Sequence, residues 1–378
     1  MKILHMADTH LGYSAYRKAT EDGMNQREID VYDAFKQCID YTIKSKPDIV
    51  LHAGDLFDSV RPTNRAITIA IQQIIRLSKE KIPFAIISGN HETPRLKETG
   101  NIFNIFEHLD HVYPIYSNKY ETIPFEIENK KITIHAIPQC QSKKEFNDNL
   151  KKVKIDNSSD FNIFMAHGAV HGIKEFSRNE FNELFIPTNA LSKDFDYVAL
   201  GHYHKHTKIL ENAFYSGSSE HLTFSEAGDQ KGFIELELGK KIKPHFVKIN
   251  TRPMIDAPQI NCSNLNIEEI MRKITDTIRK IEPKDKIFRI RLGNIPSHIY
   301  RGMDFNQIRK LSKGAVHFEI KSDVIKEGET RISENYKIDS VANEFKKFLR
   351  GQKIQEKEIL LKMGLDYIQK AETKDEGK

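Results

Sequence analysis

A chain of 378 residues is too long for one small core and suits a large domain with one or two appendages. It has neither an apolar run of about 18 residues nor a charged-then-apolar leader, so the reading is of a soluble, intracellular protein with no membrane span. Its three cysteines, Cys38, Cys140 and Cys262, match no zinc or redox spacing and read as packed free thiols. The net charge of +5 is uneven: residues 251–378 carry 26 Lys and Arg against 20 Asp and Glu, and the first 250 carry 32 against 33. The excess in the last third either meets a polyanion or is a solvated lysine-rich surface.

The first expected strand, Lys2 to Ala7, leads into Asp8-Thr9-His10-Leu11-Gly12. A carboxylate and an imidazole two residues apart in an extended segment point to one side, so both can reach one ion. A polar loop from Tyr13 to Gln26 carries Arg17 and Lys18 beside that place, either as phosphate contacts or as ordinary loop charge. Apolar positions at helical spacing follow (Ile29, Tyr32, Phe35, Ile39), and Pro47 stops them. The run Ile49-Val50-Leu51-His52-Ala53 then enters the turn Gly54-Asp55-Leu56-Phe57-Asp58. Asp55 either caps the next helix or stands as a metal ligand at the reactive edge of a parallel sheet.

Arg61-Pro62-Thr63 offers a turn and a helix N-cap, with Ile67, Ile71 and Ile74 in the stripe behind it. A third strand, Phe84 to Ser88, ends in Gly89-Asn90-His91-Glu92, a neutral oxygen ligand beside an imidazole able to move protons. A helix expected near 101–108 shows Ile102, Phe103, Ile105 and Phe106, too apolar for one buried stripe. With Ile67 and Ile71, Phe103 and Phe106 either form a patch pairing with a second copy or pack in the core.

From about 113 to 140, short alternating strands open a second sheet layer, and the lysine-rich stretch 143–154 reads as an exposed helix. Two further strands deliver His167-Gly168 and Gly201-His202-Tyr203-His204; His206 fits that register less well. Any one of these histidines alone is an ordinary hydrogen-bonded loop residue. Five such turns, each behind a short apolar strand and in this order, are not expected by chance.

The series closely resembles the calcineurin-like metallophosphoesterase superfamily, which implies an α/β fold, a four-layer α-β-β-α sandwich with two metal ions at its strand ends. The resemblance places Asp8, His10, Asp55 and His204 on one ion and Asp55, Asn90, His167 and His202 on the other, with Asp55 bridging. Mixed oxygen and imidazole ligation suits Mn²⁺, with Fe²⁺ or Zn²⁺ as alternatives, better than Mg²⁺. Two ions ~3.5–4 Å apart stabilise both the attacking and the leaving oxygen of a phosphoryl displacement. His91 follows a ligand directly and is assigned to transition-state stabilisation and protonation of the leaving oxygen.

Flanking residues narrow the substrate. Protein phosphatases of the superfamily carry Arg-Gly after the second Asp of Gly-Asp-x-x-Asp, whereas Asp58 here precedes Ser59-Val60. The segments Ala7 to Tyr13, Ala53 to Phe57, Arg61-Pro62, Ser216-Gly217-Ser218-Ser219-Glu220, Lys231-Gly232-Phe233 and Arg252 to Asp256 are similar to the Mre-eleven/SbcD nucleases of double-strand-break repair. That family implies a manganese-dependent homodimer that acts on double-stranded DNA ends as 3′-to-5′ exonuclease and single-strand endonuclease, with an SMC-like ATPase of the Rad-fifty/SbcC type. Two residues depart from it: Asp58 stands where many relatives have a second active-site histidine, and Glu92 where they usually have Asp. Rival readings are a phosphomonoesterase or small-molecule phosphodiesterase, and a DNA-end tethering scaffold with a structural metal site.

The expected domains are a nuclease domain at 1–254 and a DNA-binding cap at 255–325, followed by a linker at 326–334. A helical ATPase-binding segment at 335–372 and a disordered tail at 373–378 complete the chain. In the cap, Ile270, Ile274 and Ile278 share one helix face, and Arg289 and Arg291 project from the polar side of a strand, toward phosphates or toward solvent. Arg61 is a further DNA candidate. In the last segment Val341, Phe345, Phe348, Leu361 and Leu365 form apolar stripes for a partner helix, or for folding back on the cap.

Overall fold

The computed structural model describes residues 1–170, 183–191, 194–239, 242–325, 341–350 and 357–375. They form two units, Met1–Asp323 and Val324–Lys378.

Two six-stranded sheets organise the first unit. One runs in the order Lys243–Lys248, Gly232–Glu237, Lys2–Met6, Ile49–His52, Phe84–Ile87, Val112–Ile115, its last four strands parallel. The other runs Thr207–Lys208, Ala213–Tyr215, Tyr197–Gly201, Phe161–His167, Lys130–Ile137, Glu121–Ile127, with a parallel centre. The second layer thus begins at Glu121, since Val112–Ile115 still closes the first sheet. Ile49, Leu51, Ala85 and Ile87 from one sheet meet Ile134, Ile163, Met165 and Ala199 from the other. Central strands buried on both faces explain why the sequence shows apolar runs there instead of alternation.

Helices Gln26–Ser45 and Asn64–Lys79 cover the outside of the first sheet. Asn25 caps the first by accepting from the Arg27 amide, and Lys46 ends it in a left-handed conformation (φ 47°) just before Pro47. Thr63 caps the second through the Ala66 amide. On the second sheet the helix Lys143–Leu150 inserts Phe146 among Ile137, Phe164 and Val198. The result is the four-layer order of helix, sheet, sheet, helix.

The expected helix near residue 101 is only a 3-10 turn, Ile102–Phe106, and it turns inward. Phe103 and Phe106 are fully buried, with Phe106 stacked on Phe57 at 6.3 Å. They belong to the core and are not a pairing surface. Ile67 and Ile71 remain partly exposed on that side, with Ile102 and Ile105.

Residues 254–325 have a small sheet and core of their own. Ile287–Pro296 is flanked by Met254–Asp256, Ile260–Asn261 and His317–Ile325. Helix Ile267–Ile281 begins with a reciprocal capping box between Asn266 and Glu269 and buries Ile270, Ile274, Ile278 and Ile281. Each such side chain contributes roughly 1.5–3 kcal/mol of burial. Residues 322–325, expected at the end of the cap, continue the strand; 326–334, expected as the linker, and 335–340 beyond them lie outside the described residues.

The second unit contains helices Val341–Arg350 and Lys357–Asp375. They pack closely where Gly364 faces the Phe345 ring, since a Cβ on that glycine would lie 2.1 Å from it. The second helix runs through residues 373–375, so the tail expected to be disordered from 373 is helical that far, in one continuous backbone hydrogen-bond ladder. Leu361, Leu365 and Phe345 are half-buried, whereas Phe348, Ile359, Leu360, Met363 and Tyr367 are exposed.

Candidate metal centre

Five strands end on one side of the sandwich, and their last residues turn sharply. Asp8, His10, Asp55 and His202 all have positive φ (52°, 46°, 55° and 98°). Asp and His are among the non-glycine types that tolerate this region, so the residues that make the turns also carry the chemistry. The ends are laced together: the Asp8 amide donates to Gly54 O (3.0 Å), the His202 amide to Asp8 Oδ1 (2.9 Å) and the His91 amide to Asp55 Oδ1 (3.0 Å). Glycine is required where they crowd most, since a Cβ on Gly89 would lie 2.1 Å from Asp55 Oδ1 and one on Gly201 2.0 Å from Ala53 O.

All seven expected ligands meet here. Donor atoms of Asp8, His10 and His204 lie within 4.8 Å of one another, as do those of Asp55, His167 and His202. Asn90 Oδ1 sits 3.0 Å from His167 Nε2 and 3.2 Å from His202 Nδ1. Asp55 joins the halves, with Oδ2 3.1 Å from His167 Nε2 and 3.8 Å from His10 Nε2.

Hydrogen bonds behind the imidazoles decide whether this set fits a metal. His10 Nδ1 donates to Asp58 Oδ1 (3.2 Å), His167 Nδ1 to Ala53 O (2.8 Å), His202 Nε2 to Glu183 Oε1 (3.1 Å) and His204 Nδ1 to Glu226 Oε1 (3.1 Å). An ionised carboxylate or a carbonyl only accepts, so each outer nitrogen carries a hydrogen and each inner one, in the neutral ring, presents a lone pair. His10 Nε2 and His204 Nε2 consequently face each other at 3.1 Å, an arrangement that needs a cation or a proton between them. The carboxylates make the same demand. Burial pushes the Asp8 carboxyl up, with His204 and His167 opposing it; burial acts likewise on Asp55, but His167, His91 and His10 hold it well below the usual range. His167, which burial alone would lower, is pushed up to about 10 by Asp55 and Asp8. Oxygen and imidazole donors around two buried carboxylates fit hard-to-borderline divalent ions.

His91 stands at the rim. Its Nδ1 donates to Asp58 O (3.0 Å) and its ring meets that of His10 edge-on at 4.6 Å. Burial lowers its pKa, but Asp55, the Asp58 carbonyl and carboxylate, and Glu92 outweigh that and raise it to about 9. Asp58 touches both histidines: its carboxylate holds the ring of His10 and its carbonyl that of His91. Glu92 is fully buried, accepts from the Gly89 amide (3.0 Å) and the Leu56 amide (3.3 Å), and is raised to about 8 by burial and Asp55. It ties two strand ends together.

Other residues singled out in the sequence lie elsewhere. His206 donates to Tyr215 O and stacks on Phe246, outside the cluster. Arg17, Lys18 and Arg61 are exposed on loops. Arg289, expected to meet phosphates or solvent, is instead paired within the cap: Asp256 takes two of its nitrogens (2.6 and 3.1 Å), Glu319 a third (3.5 Å), and it lies over the Phe224 ring. Arg291 also reaches Asp256 (3.2 Å), but its side chain is 41% exposed. Sequence reasoning missed Glu183 and Glu226, as well as the half-buried ion pair of Arg252 with Asp30 (2.6 Å). Lys231 and Arg252 stood inside quoted motifs, and that was their only signal.

The sequence pattern of the calcineurin-like phosphoesterases matches residues 1–206. The fold and this donor set define a metallophosphoesterase, in which divalent ions polarise a phosphoester and stabilise its entering and leaving oxygens. "DNA double-strand break repair protein Mre11" of Methanococcus maripaludis is 27% identical over 91% of this chain and 87% of its own. The protein of the same name in Sulfurisphaera tokodaii is 30% identical over 86% and 81%, and the SbcD component of the SbcCD nuclease of Staphylococcus epidermidis 29% over 79% and 80%. The chain belongs to the Mre11/SbcD family.

Proposed function

We propose that this protein is a manganese-dependent DNA nuclease that processes double-strand ends, as 3′-to-5′ exonuclease and single-strand endonuclease, with an SMC-like ATPase of the Rad-fifty/SbcC type. The observation that carries the reading is the convergence of seven oxygen and imidazole donors, each histidine anchored through its outer nitrogen, in a chain whose relatives are named for DNA break repair and nuclease action. Asp8, His10, Asp55 and His204 hold one ion, and Asp55, Asn90, His167 and His202 the other. His91 gives its proton to the leaving oxygen. Residues 1–254 are the nuclease domain and 255–325 the cap, with Arg17, Lys18, Arg61 and Arg291 available to phosphates.

Two association surfaces belong to the same reading. The partly exposed Ile67 and Ile71, with Ile102 and Ile105, support a homodimer. On the C-terminal pair, Leu360, Met363 and Tyr367 recur at helical spacing on the exposed face and support docking of a partner helix, while Leu361, Leu365 and Phe345 are turned toward the pair itself.

The test is cleavage of end-labelled linear DNA with Mn²⁺ or Mg²⁺, beside a small phosphodiester. Manganese-dependent nucleotide release, lost in His91→Ala, is expected. Brisk turnover of the small ester without DNA cleavage would replace this reading with that of a small-molecule phosphoesterase. Unimpaired end binding without turnover on either substrate would make the protein a tethering scaffold.

A further inference from the structure

The loop Leu222–Ala227 lies between the candidate metal centre and the cap and touches both. At one end Glu226, 2% exposed, holds the ring of His204 through Oε1. Its Oε2 takes Lys231 Nζ at 2.6 Å. Lys231, equally buried, spends its other two N–H groups on His204 O (3.0 Å) and Ser218 Oγ (2.9 Å). His204 is therefore gripped twice, ring by Glu226 and backbone by Lys231. A buried ion pair is a poor source of net stability, so its value here is geometric.

Two residues earlier the same loop leans on the cap. Arg289 lies 4.6 Å above the Phe224 ring, His317 is within 6.3 Å, and His317 in turn stacks on Tyr16 at 3.7 Å. Phe224 and Ala227 pack with Met254, Ile287 and Val316. Tyr13 ties the start of the loop to the Asp8 turn by donating to Leu222 O (2.5 Å).

We infer that this loop is a strut through which the seating of the cap sets the ligating geometry of His204, with Glu226 as the positioning residue and Phe224 as the foot in the cap. The inference rests on the metal-centre reading above and adds a control of it. Foot and carboxylate are the first and last residues of one three-residue 3-10 turn, Phe224–Glu226, too short to absorb a displacement of Phe224 without moving Glu226. When the cap shifts, the Nδ1 bond of His204 loosens, and the ion that depends on its Nε2 is held less well.

The experiment is Mn²⁺ binding to the full chain, without DNA, by titration calorimetry, for wild type, Glu226→Gln, Phe224→Ala, Phe224→Tyr and the double variant Phe224→Ala/Glu226→Gln. Loss of a ligand-orienting partner lowers metal affinity by ~10–100-fold, the range expected of Glu226→Gln at one of two sites. Phe224→Ala should lower affinity at that same site by several-fold, Phe224→Tyr should restore it, and the double variant should be no weaker than Glu226→Gln alone. Unchanged affinity in Phe224→Ala, or losses that multiply in the double variant, would overturn the strut while leaving the metal centre intact. A wild type that binds no Mn²⁺ would overturn the metal centre and the strut with it. Phe224→Ala perturbs a half-buried ring remote from the ligands, so it keeps the test decisive if Glu226→Gln does not fold.

Discussion

The strand ends of the sandwich and the outer face of the cap strand Ile287–Pro296 both gather charged side chains, and they use them in opposite ways. At the strand ends the backbone is in the left-handed region at Asp8, His10, Asp55 and His202, and buried carboxylates face imidazole nitrogens. Such residues cost of order 1–3 kcal/mol each and persist only where the surroundings enforce them. On the cap strand the left-handed residue is the uncharged Asn294 (φ 56°), and Arg289 is paired with Asp256 and Glu319. At the strand ends carboxylates and imidazoles converge on one place, whereas on the cap strand the charge of Arg289 is taken up by neighbouring carboxylates.

The sharpest way to break this contrast is to remove the carboxylate shared by both halves of the cluster. Asp55→Ala should lose metal outright, read by elemental analysis of the purified protein, with circular dichroism showing the fold retained. Unchanged metal content would mean that the strand ends are, like the cap, internally satisfied. His91→Ala comes next. It should keep the metal of the wild type and lose ~10²- to 10⁴-fold in cleavage rate, the range for removal of a general acid. Loss of metal in that variant would turn His91 from a proton donor into a ligand.

The same contrast explains what could be read without coordinates. Strand, turn and donor are local at the metal centre: a buried run, then Gly-Asp or Gly-Asn-His, with Gly54, Gly89 and Gly201 where strand ends crowd. The groups that make those donors competent are not local. Glu183 lies 19 residues before His202 and Glu226 22 after His204, in segments without periodicity, so nothing nearby marks them. Phe103 and Phe106 stay open between a pairing patch and the core for a related reason: apolar spacing shows that a face must be covered, but not by what, and here Phe57 covers it from another element. Alternation placed Arg289 on the polar side of its strand correctly and could not reveal Asp256, 33 residues earlier, lying beside it.

The smallest effects separate the two cap arginines. Arg289 is 16% exposed and held at three points, and its ordinary pKa is raised chiefly by the bonds to Asp256. Arg289→Ala should therefore cost about 1 kcal/mol of stability, as a well-formed but partly hydrated pair does, and lower the thermal midpoint without altering the salt dependence of DNA binding. Arg291 meets the same carboxylate at 3.2 Å and is 41% exposed, so it can exchange that partner for a phosphate. Arg291→Ala should leave the midpoint nearly unchanged and reduce the slope of log affinity against log salt by about 1. Fluorescence anisotropy with a labelled duplex at several salt concentrations measures the slope, and thermal melts measure the stability. If both variants changed the slope equally, the Asp256 pair would be no barrier to phosphate binding, and the outer face of the cap would be a nucleic-acid surface in full.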